Sequence, residues 1–408
     1  MGNMCRQSKI DMRHCIAAGA ALVAIWAAPA LAADKPIKIA LIADKTGILE
    51  AYAKQTVVGF ALGLEYATGG TMAVAGHKLV VIEKDSQFRP DVGRTLLNEA
   101  YNDDHADIAV GGTSSAVALA MLPVAQDNKK IFIVEPAVAD SITGVAWNRY
   151  IFRTGRNSTQ DAVSNALAIG KPGTVVATLA QDYAFGRDFV TAFKKALVPT
   201  GAKLVFEEYA PVFTTDFTAP YQRIFDALAK EKGRKIIFLN WAGGNPMGAL
   251  KALDPERLGI SLATGGNILP ALVAYKDFPG MEGAAYYYYD IPKNPVNDWL
   301  VTQHKKRFGG APPDFFTCGG FIAAQAVVEA LKKTGGSTDT EKLIAAMEGM
   351  AFESPKGTVL FRKQDHQLLQ PMYAFKIKVD PKVPWAIPEL VHIITVDEMN
   401  IPVGNIPH

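Results

Sequence analysis

The sequence predicts an α/β protein built from two doubly wound lobes. Short apolar strands alternate with helices from residue 37 to residue 134, and the strands read as nearly continuous apolar runs, which is typical of a parallel sheet covered on both faces. The alternation breaks over residues 150–160 and then resumes in a second series of similar length. This pattern predicts two α/β units, and 408 residues are enough for two cores.

The elements of the first unit follow from apolar runs and from helical spacing. A helix over residues 52–67 places Val57, Phe60 and Leu64 on one stripe, and a second helix follows Pro90. The predicted strands are residues 37–43, 79–82, 106–110 and 131–134.

The second unit and the C-terminal part follow the same logic. Predicted strands are residues 174–179, 203–209, 235–240 and 260–264, with helices near 185–197, 217–230, 246–253 and 269–277. Helices at 296–308, 314–333 and 340–350 precede β-structure at 357–361, 372–379 and 390–396. The run from Tyr286 to Tyr289 is predicted to be a strand that packs on both faces where the chain returns to the first lobe.

The segment of residues 106–128 is the centre of the first unit. A buried strand leads through two glycines to Thr113, Ser114 and Ser115, after which a helix begins. Hydroxyl groups at such a turn cap the helix by accepting its free N–H groups. The same helix N-terminus attracts an anion. The segment alone leaves both interpretations open, a helix cap or a site for an anionic ligand.

The N-terminus has the pattern of a secretory signal. Arg6, Lys9 and Arg13 precede an apolar run over residues 16–28, and residues 30–32 form a small-x-small cleavage site. We therefore expect residues 1–32 to be a cleaved signal peptide and the exported chain to be soluble, with no later apolar run long enough to cross a bilayer. Cys318 is then the one remaining cysteine, and we expect it to be a small buried side chain.

Composition and motifs favour binding over catalysis. The first 32 residues carry three of the 42 basic and one of the 40 acidic side chains, which leaves 39 of each and gives no argument for binding nucleic acid or an anionic membrane. The phosphate-binding glycine motifs and the GxSxG elbow are absent. No histidines are paired at a metal-ligand spacing, so we expect no metal, no cofactor and no catalytic residue.

An ordered set of segments carries a resemblance to a known family. The segments are the signal, IKIALIADKTG, YAKQTVVGFALGLE, the turn of Asp85, Gln87 and Pro90, GGTSSAVALAMLPVA, IVEPAVADSIT, YIFRTGRNSTQ and QDYAFGRDF. Together they resemble the type I periplasmic solute-binding proteins, in the branch of leucine/isoleucine/valine receptors of ABC transporters. The resemblance implies two lobes joined by three crossovers, with residues 33–154 and 283–362 in lobe one and residues 155–282 and 363–408 in lobe two.

The resemblance also implies a function. The lobes would close like a hinge on a small carboxylate in the periplasm and deliver it to an inner-membrane ABC permease, without catalysis. The family is usually monomeric, and we expect a monomer with no nucleic-acid partner and no insertion into the membrane.

The family's binding positions carry over to this sequence unevenly. Ser115 falls where the amino-acid receptors hold the ligand carboxylate, Ala137 matches a backbone contact, and Tyr52 matches an aromatic position over the ligand. The predicted site is Thr113, Ser114, Ser115, Ala137, Ala139, Tyr52, Tyr183, Phe185, Trp241, Gly266, Asn267 and Arg156.

Three positions depart from the family's pattern. A threonine that shares in holding the amino acid falls on Ala139, the glutamate that pairs with the ligand ammonium falls on Gly266, and a lobe-two tyrosine falls on Gly243 and Gly244. Because a buried ammonium without a partner costs several kcal/mol or more, we expect a ligand that has no α-ammonium.

Aromatic side chains suggest the body of such a ligand. Trp241, Phe185 and either Phe315 or Phe316 would suit a flat apolar group, such as a benzoate or a phenylpropenoate. Arg156 either adds a bidentate carboxylate contact or is a solvated hinge arginine.

Other functions stay open at this point. One alternative is a receptor for branched-chain or other amino acids, and another is a periplasmic sensor that passes lobe closure to a signalling partner. An exported α/β enzyme is a third alternative, against which the missing acid/base pair counts.

Overall fold

The computed structural model describes residues 35–244 and 246–406, so the predicted signal peptide lies outside the described residues. The first lobe begins with the strands β1 (Ile37–Ala43), β2 (Ala73–Val74), β3 (His77–Asp85), β4 (Ile108–Gly111), β5 (Ile131–Val134) and β6 (Ile151–Arg153). They form one sheet in the order β2-β3-β1-β4-β5-β6, parallel except for β2. Its helices are α1 (Glu50–Ala67), α2 (Pro90–Asn102) and α3 (Ser115–Asn128).

The second lobe repeats this architecture. Its first strands are β7 (Thr174–Gln181), β8 (Lys203–Ala210), β9 (Arg234–Asn240), β10 (Ile260–Thr264) and β11 (Glu282–Ala285). Helix α4 (Ser158–Ile169) precedes these strands, and the helices between them are α5 (Ala184–Leu197), α6 (Thr218–Ala229), α7 (Met247–Leu253) and α8 (Leu269–Leu272).

The C-terminal part serves both lobes. It contains α9 (Pro295–Arg307), α10 (Phe315–Lys333), α11 (Thr340–Met347), β12 (Ala351–Ser354), β13 (Gly357–Phe361), β14 (Leu368–Leu369), β15 (Met372–Lys378), β16 (Ile387–Ile394) and α12 (Val396–Met399). Strands β12, β13 and β14 form a small antiparallel sheet, whereas β15 and β16 extend the second sheet, whose order is β16-β15-β11-β10-β9-β7-β8. The predicted two-lobed α/β fold is thus confirmed.

The chain passes between the lobes three times, after β6, after β11 and after β14. The crossovers hold one another through buried polar groups. Arg153 donates through Nε to Gln367 Oε1 (2.6 Å), and Gln367 Nε2 donates to the carbonyl of Gly155 (2.8 Å). Asn165 of α4 exchanges hydrogen bonds with both backbone groups of Ala284 in β11. These contacts fix the hinge side of the cleft.

The tyrosine run departs from the prediction. Tyr286 to Tyr289 are not a strand, because β11 ends at Ala285 and the chain turns directly after it. Three of the four side chains are buried, and Tyr287 donates to Asn297 Oδ1 (2.7 Å) in α9. The chain was predicted to return to lobe one at Gly283, but Gly283 lies inside β11, a strand of the second sheet. This strand has only four residues and no alternation of apolar and polar side chains that would mark it in the sequence.

Helices α1 and α10 pack unusually closely in lobe one. A Cβ at Gly59 would lie 2.0 Å from the carbonyl oxygen of Thr317, and one at Gly320 would lie 2.1 Å from that of Thr56. Glycine is therefore required on both helices at this contact. The contact brings the N-terminus of α10 next to Tyr52 and so positions one wall of the site described below.

Helix α10 corrects one expectation about apolar runs. Among the described residues, α10 is the helix that is long and apolar enough to cross a membrane. From the sequence, no such helix was expected after the signal peptide. Because 89% of that apolar window is buried inside the fold, α10 is a core helix. Cys318 lies in it, free and buried as predicted.

Candidate functional site

A cavity lies between the carboxyl ends of the two sheets, where ligands bind in open parallel sheets. The space between its wall atoms is about 710 Å³, part of it open to solvent. Ten of the twelve predicted site residues line it: Tyr52, Thr113, Ser115, Ala137, Arg156, Tyr183, Phe185, Trp241, Gly266 and Asn267.

The other two predicted residues lie behind the cavity wall. Ser114 is the N-cap of α3, where its Oγ accepts from the N–H of Val117 at 3.3 Å, so its side chain turns away from the cavity. Ala139 has no polar side chain, and its backbone N–H donates to Ser115 Oγ (3.2 Å). Ser114 and Ala139 therefore support the site residues and do not line the cavity.

Thr113 and Ser115 form a hydroxyl end of the cavity. Thr113 Oγ1 accepts from the N–H of Asp44 (3.1 Å), and Ser115 Oγ accepts from the N–H of Ala139. Neither hydroxyl donates to another of the described residues, so both hydrogens are left for a partner in the cavity that the two residues line. Ser115 is also the first residue of α3, where the helix dipole favours negative charge. The turn thus caps α3 through Ser114 and places the Thr113 and Ser115 hydroxyls at the cavity.

A buried carboxylate fixes the turn that carries these hydroxyls. Asp44 accepts from the Ser86 hydroxyl (2.6 Å) and from the N–H groups of Phe88 (3.2 Å) and Ser114 (3.0 Å). Burial raises the pKa of Asp44, and these hydrogen bonds oppose the rise. The turn is therefore held by a satisfied buried acid behind the cavity.

Arg156 and Asp161 form a buried ion pair at the edge of the cavity. Arg156 Nε lies 3.0 Å from Asp161 Oδ1, and only 11% of each side chain is exposed, so Arg156 is not a solvated hinge arginine. Burial raises the pKa of Asp161, and the adjacent guanidinium opposes this. Within the hydrogen bonds of the described residues only Nε of Arg156 is engaged, so its Nη groups remain available for a carboxylate.

Aromatic rings form much of the remaining wall. The guanidinium carbon of Arg156 lies 5.1 Å from the ring centre of Phe315 and 5.9 Å from that of Phe316. Tyr52 packs on Phe316 with ring centres 4.4 Å apart. Trp241 of lobe two contributes another ring to the wall. Behind the cavity, Phe217 packs edge-on against Trp241, with ring centres 5.0 Å apart. Flat apolar surface therefore faces the cavity from both lobes.

Direct contacts hold the two lobes together across the cleft. The Tyr52 hydroxyl donates to Asn267 Oδ1 (3.2 Å) and accepts from the N–H of Gly243 (3.1 Å). Asp314, the N-cap of α10, accepts a hydrogen bond from the N–H of Leu269 in lobe two at 2.9 Å. Burial raises the pKa of Asp314 to about 6. The lobes are thus in a closed arrangement, with Tyr52 bridging them.

Gly266 and Gly243 both have a positive φ, which favours glycine. Gly266 has φ +73°, and a Cβ there would lie 2.8 Å from the Cβ of Ala285, so no side chain fits at this position without a shift of the backbone. Gly243 and Gly244 line a second cavity of about 290 Å³, which shares Trp241 with the first.

Three polar residues of the cavity were missed by sequence reasoning: Asp161, Asn240 and Thr264. Asn240 and Thr264 are the last residues of β9 and β10 and were predicted only as the ends of strands. The rule that ligands bind at strand carboxyl ends would have found both. Asp161 lies in the first turn of α4, five residues after its partner Arg156. Among residues 35–244 and 246–406 there is no cluster of histidine, cysteine or acidic side chains that could hold a metal ion.

Comparison with known proteins identifies the family of this chain. Residues 36–382 match the family described as periplasmic binding protein. A Leu/Ile/Val-binding protein homolog of Brucella melitensis is 26% identical over 320 residues, which cover 74% of this chain and 79% of that protein. An ABC-type branched-chain amino acid transporter protein of Rhodopseudomonas palustris is 67% identical, with a TM-score of 0.82 over 91% of this chain and all of that chain.

A further solved structure is that of a solute-binding protein from Rhodopseudomonas palustris in complex with 3,4-dihydroxybenzoic acid. It is 30% identical, with a TM-score of 0.78 over 88% of this chain and 98% of that chain. The family match covers most of the chain and agrees with the two lobes and the cleft between them. The chain therefore belongs to the periplasmic binding proteins, as a solute-binding protein of an ABC transporter that binds a small molecule for delivery to a permease.

Proposed function

We propose that this protein binds an aromatic carboxylate, such as a benzoate or a phenylpropenoate, as its lobes close, and passes it to its permease. The observation that carries the proposal is the charge of the cavity. Among the described residues that line it, Arg156 is the one cation and Asp161 the one acid, and the two are already paired. The donors that remain are suited to an anion.

The carboxylate would bind where Ser115, Thr113 and Arg156 converge on the cavity. Two hydroxyl hydrogens, the N-terminal end of α3 and the free Nη groups of Arg156 supply charge-assisted donors. Because water is largely excluded when the lobes close, these bonds are stronger there than at an open surface.

The body of the ligand would be aromatic. Phe185, Trp241 and Phe316 present ring faces or edges to the cavity, and ring pairs contribute about 0.5–1.5 kcal/mol beyond the burial of area. The 30%-identical solute-binding protein that holds 3,4-dihydroxybenzoic acid supports this choice.

An α-ammonium would lack the glutamate that the family resemblance assigns to it. The position that resembles the family's glutamate is Gly266, whose backbone angle and contact with Ala285 disfavour any side chain. Asn267 beside it already accepts from Tyr52. A buried ammonium without a partner is costly, which favours an acid that carries no amine.

One observation favours the second candidate, an amino-acid receptor. Asp161 lines the cavity, and its Oδ2 could accept from a ligand ammonium while Oδ1 stays with Arg156. The relatives described as branched-chain amino acid or Leu/Ile/Val-binding proteins support this alternative.

Calorimetric titration of two proteins separates the candidates. We expect the protein that begins at residue 33, unfolded and refolded to release bound ligand, to bind benzoate, 4-hydroxybenzoate or cinnamate but not leucine. Asp161→Asn should retain this binding, because the proposed ligand places no cation beside Asp161. Leucine binding that disappears in Asp161→Asn would instead establish the amino-acid receptor.

A further inference from the structure

Asn240 is a polar group of the cavity to which the carboxylate site gives no partner. It ends β9, lines the cavity and is 9% exposed. Its Nδ2 is shielded from solvent, and no residue within 35–244 or 246–406 makes a hydrogen bond to its carboxamide. Buried amides are normally paired, because leaving one unpaired costs free energy.

The polar groups on the neighbouring strand ends have partners. Gln181, which ends β7, donates to the carbonyl of Ala242 (2.9 Å) and accepts from its N–H (3.1 Å). Thr264, which ends β10, has its hydroxyl 3.5 Å from that of Tyr275. Of these three strand ends, Asn240 is the one whose side chain is left for a ligand.

We propose that Asn240 selects aromatic acids that carry a hydroxyl group on the ring opposite the carboxylate; this inference rests on the proposed function. Ser115 and Thr113 follow β4 of lobe one, whereas Asn240 ends β9 of lobe two, so the two polar ends face the cavity from opposite lobes. A ligand that spans them has its acid at one end and its second polar group at the other.

A hydroxyl group is the second polar group that fits either orientation of the carboxamide. The oxygen and nitrogen of an asparagine side chain can exchange places with little change in shape. A ring hydroxyl both donates and accepts, so it pairs with whichever atom faces it. A methyl group of similar size does neither and would leave the carboxamide unpaired.

The test compares ligands that differ in one group. The wild-type protein is titrated with benzoate, 4-hydroxybenzoate, 4-methylbenzoate and 2-hydroxybenzoate in a calorimeter. We expect 4-hydroxybenzoate to bind on the order of 10-fold or more tightly than 4-methylbenzoate, since an unpaired buried polar group is penalised. We expect 2-hydroxybenzoate to show no such gain, because its hydroxyl lies beside the carboxylate.

Two variants assign the preference to Asn240. Asn240→Leu, which keeps the branched shape and the number of heavy atoms, should abolish the preference for 4-hydroxybenzoate and bind 4-methylbenzoate at least as well as the wild type does. Thr264→Val is the matched control, since it removes a polar group from the adjacent strand end, and it should keep the preference.

Each outcome decides between the two claims. If benzoate binds but the 4-hydroxyl group brings no gain, or if the gain survives in Asn240→Leu, the role of Asn240 is refuted and the proposed function stands. If none of the four acids binds to a folded wild-type protein but cinnamate does, this inference fails and the proposed function stands; if cinnamate does not bind either, both fail.

Discussion

Replacing Arg156 by glutamine separates two effects that the structure assigns to this side chain. The first is on affinity: a hydrogen bond to a charged group contributes roughly 1.5–3 kcal/mol, so loss of the proposed carboxylate contact should weaken binding of an aromatic acid about 10- to 150-fold. The second is on stability, because Asp161 is 8% exposed and would be left buried without its partner. Breaking a buried pair in this way costs roughly 3–5 kcal/mol.

The stability effect should depend on pH in a defined direction. Burial already raises the pKa of Asp161, and the guanidinium opposes this, so Arg156→Gln should raise that pKa further. When the pKa of a group is raised in the folded state, the folded protein becomes less stable as the pH rises through that pKa, because the group must then ionise where its charge is disfavoured. The deficit of Arg156→Gln should therefore be smaller at pH 5 than at pH 8, as measured by urea unfolding of the ligand-free protein.

The double variant Arg156→Gln with Asp161→Asn is the matched control. It removes both charges, so it should regain most of the lost stability while affinity for the aromatic acid, measured by calorimetry, stays low. If Arg156→Gln binds the acid as tightly as the wild type, the proposed carboxylate contact is refuted. If its unfolding free energy is also unchanged, the account of the buried pair is wrong as well.

Further predictions concern single groups. Ser115→Ala removes a donor to the carboxylate and should weaken binding by roughly 10-fold or more in calorimetry. Tyr52→Phe loses the two hydrogen bonds that bridge the lobes, each contributing about 1 kcal/mol, so ligand affinity should fall by roughly 5- to 30-fold in the same assay. Burial raises the pKa of Glu135 from 4.5 to about 7, so ionising this carboxyl should lower the free energy of urea unfolding as the pH rises from 4.5 to 7, and Glu135→Gln should remove that part of the decline. Gly59→Ala forces a methyl group against the backbone of α10 and should lower the thermal midpoint, whereas Gly248→Ala, whose Cβ would meet no atom within 4 Å, should not.

Most of the fold could be predicted because its strands are buried on both faces and therefore read as apolar runs. Strands β1, β5 and β10 begin and end at the predicted residues. Two short elements were not predicted: β11 (EGAA) and β14 (LL) lack the run of large apolar residues that marks the equally short β5 (IFIV). The tyrosine run has high strand propensity, but it turns because contacts with α9 hold it.

The site could be predicted where the chemistry is local to one turn or carried by the family resemblance. The hydroxyls after β4 fall into this class, although the sequence could not show that Ser114 faces the helix while Ser115 faces the cavity. The free amide of Asn240 depends on the packing around the end of β9, which no single stretch of sequence encodes. The pairing of Arg156 with Asp161, five residues apart at the start of α4, is local and was missed because only Arg156 was considered.

The most direct test of the central claim is a thermal-shift series on the refolded, ligand-free protein with aromatic acids, aliphatic acids and amino acids. A ligand at one hundred times its Kd stabilises the folded protein by about 2.7 kcal/mol, which is readily measured. We expect the midpoint to rise with aromatic carboxylates and to stay unchanged with leucine. A rise with leucine and none with any aromatic acid would contradict the account.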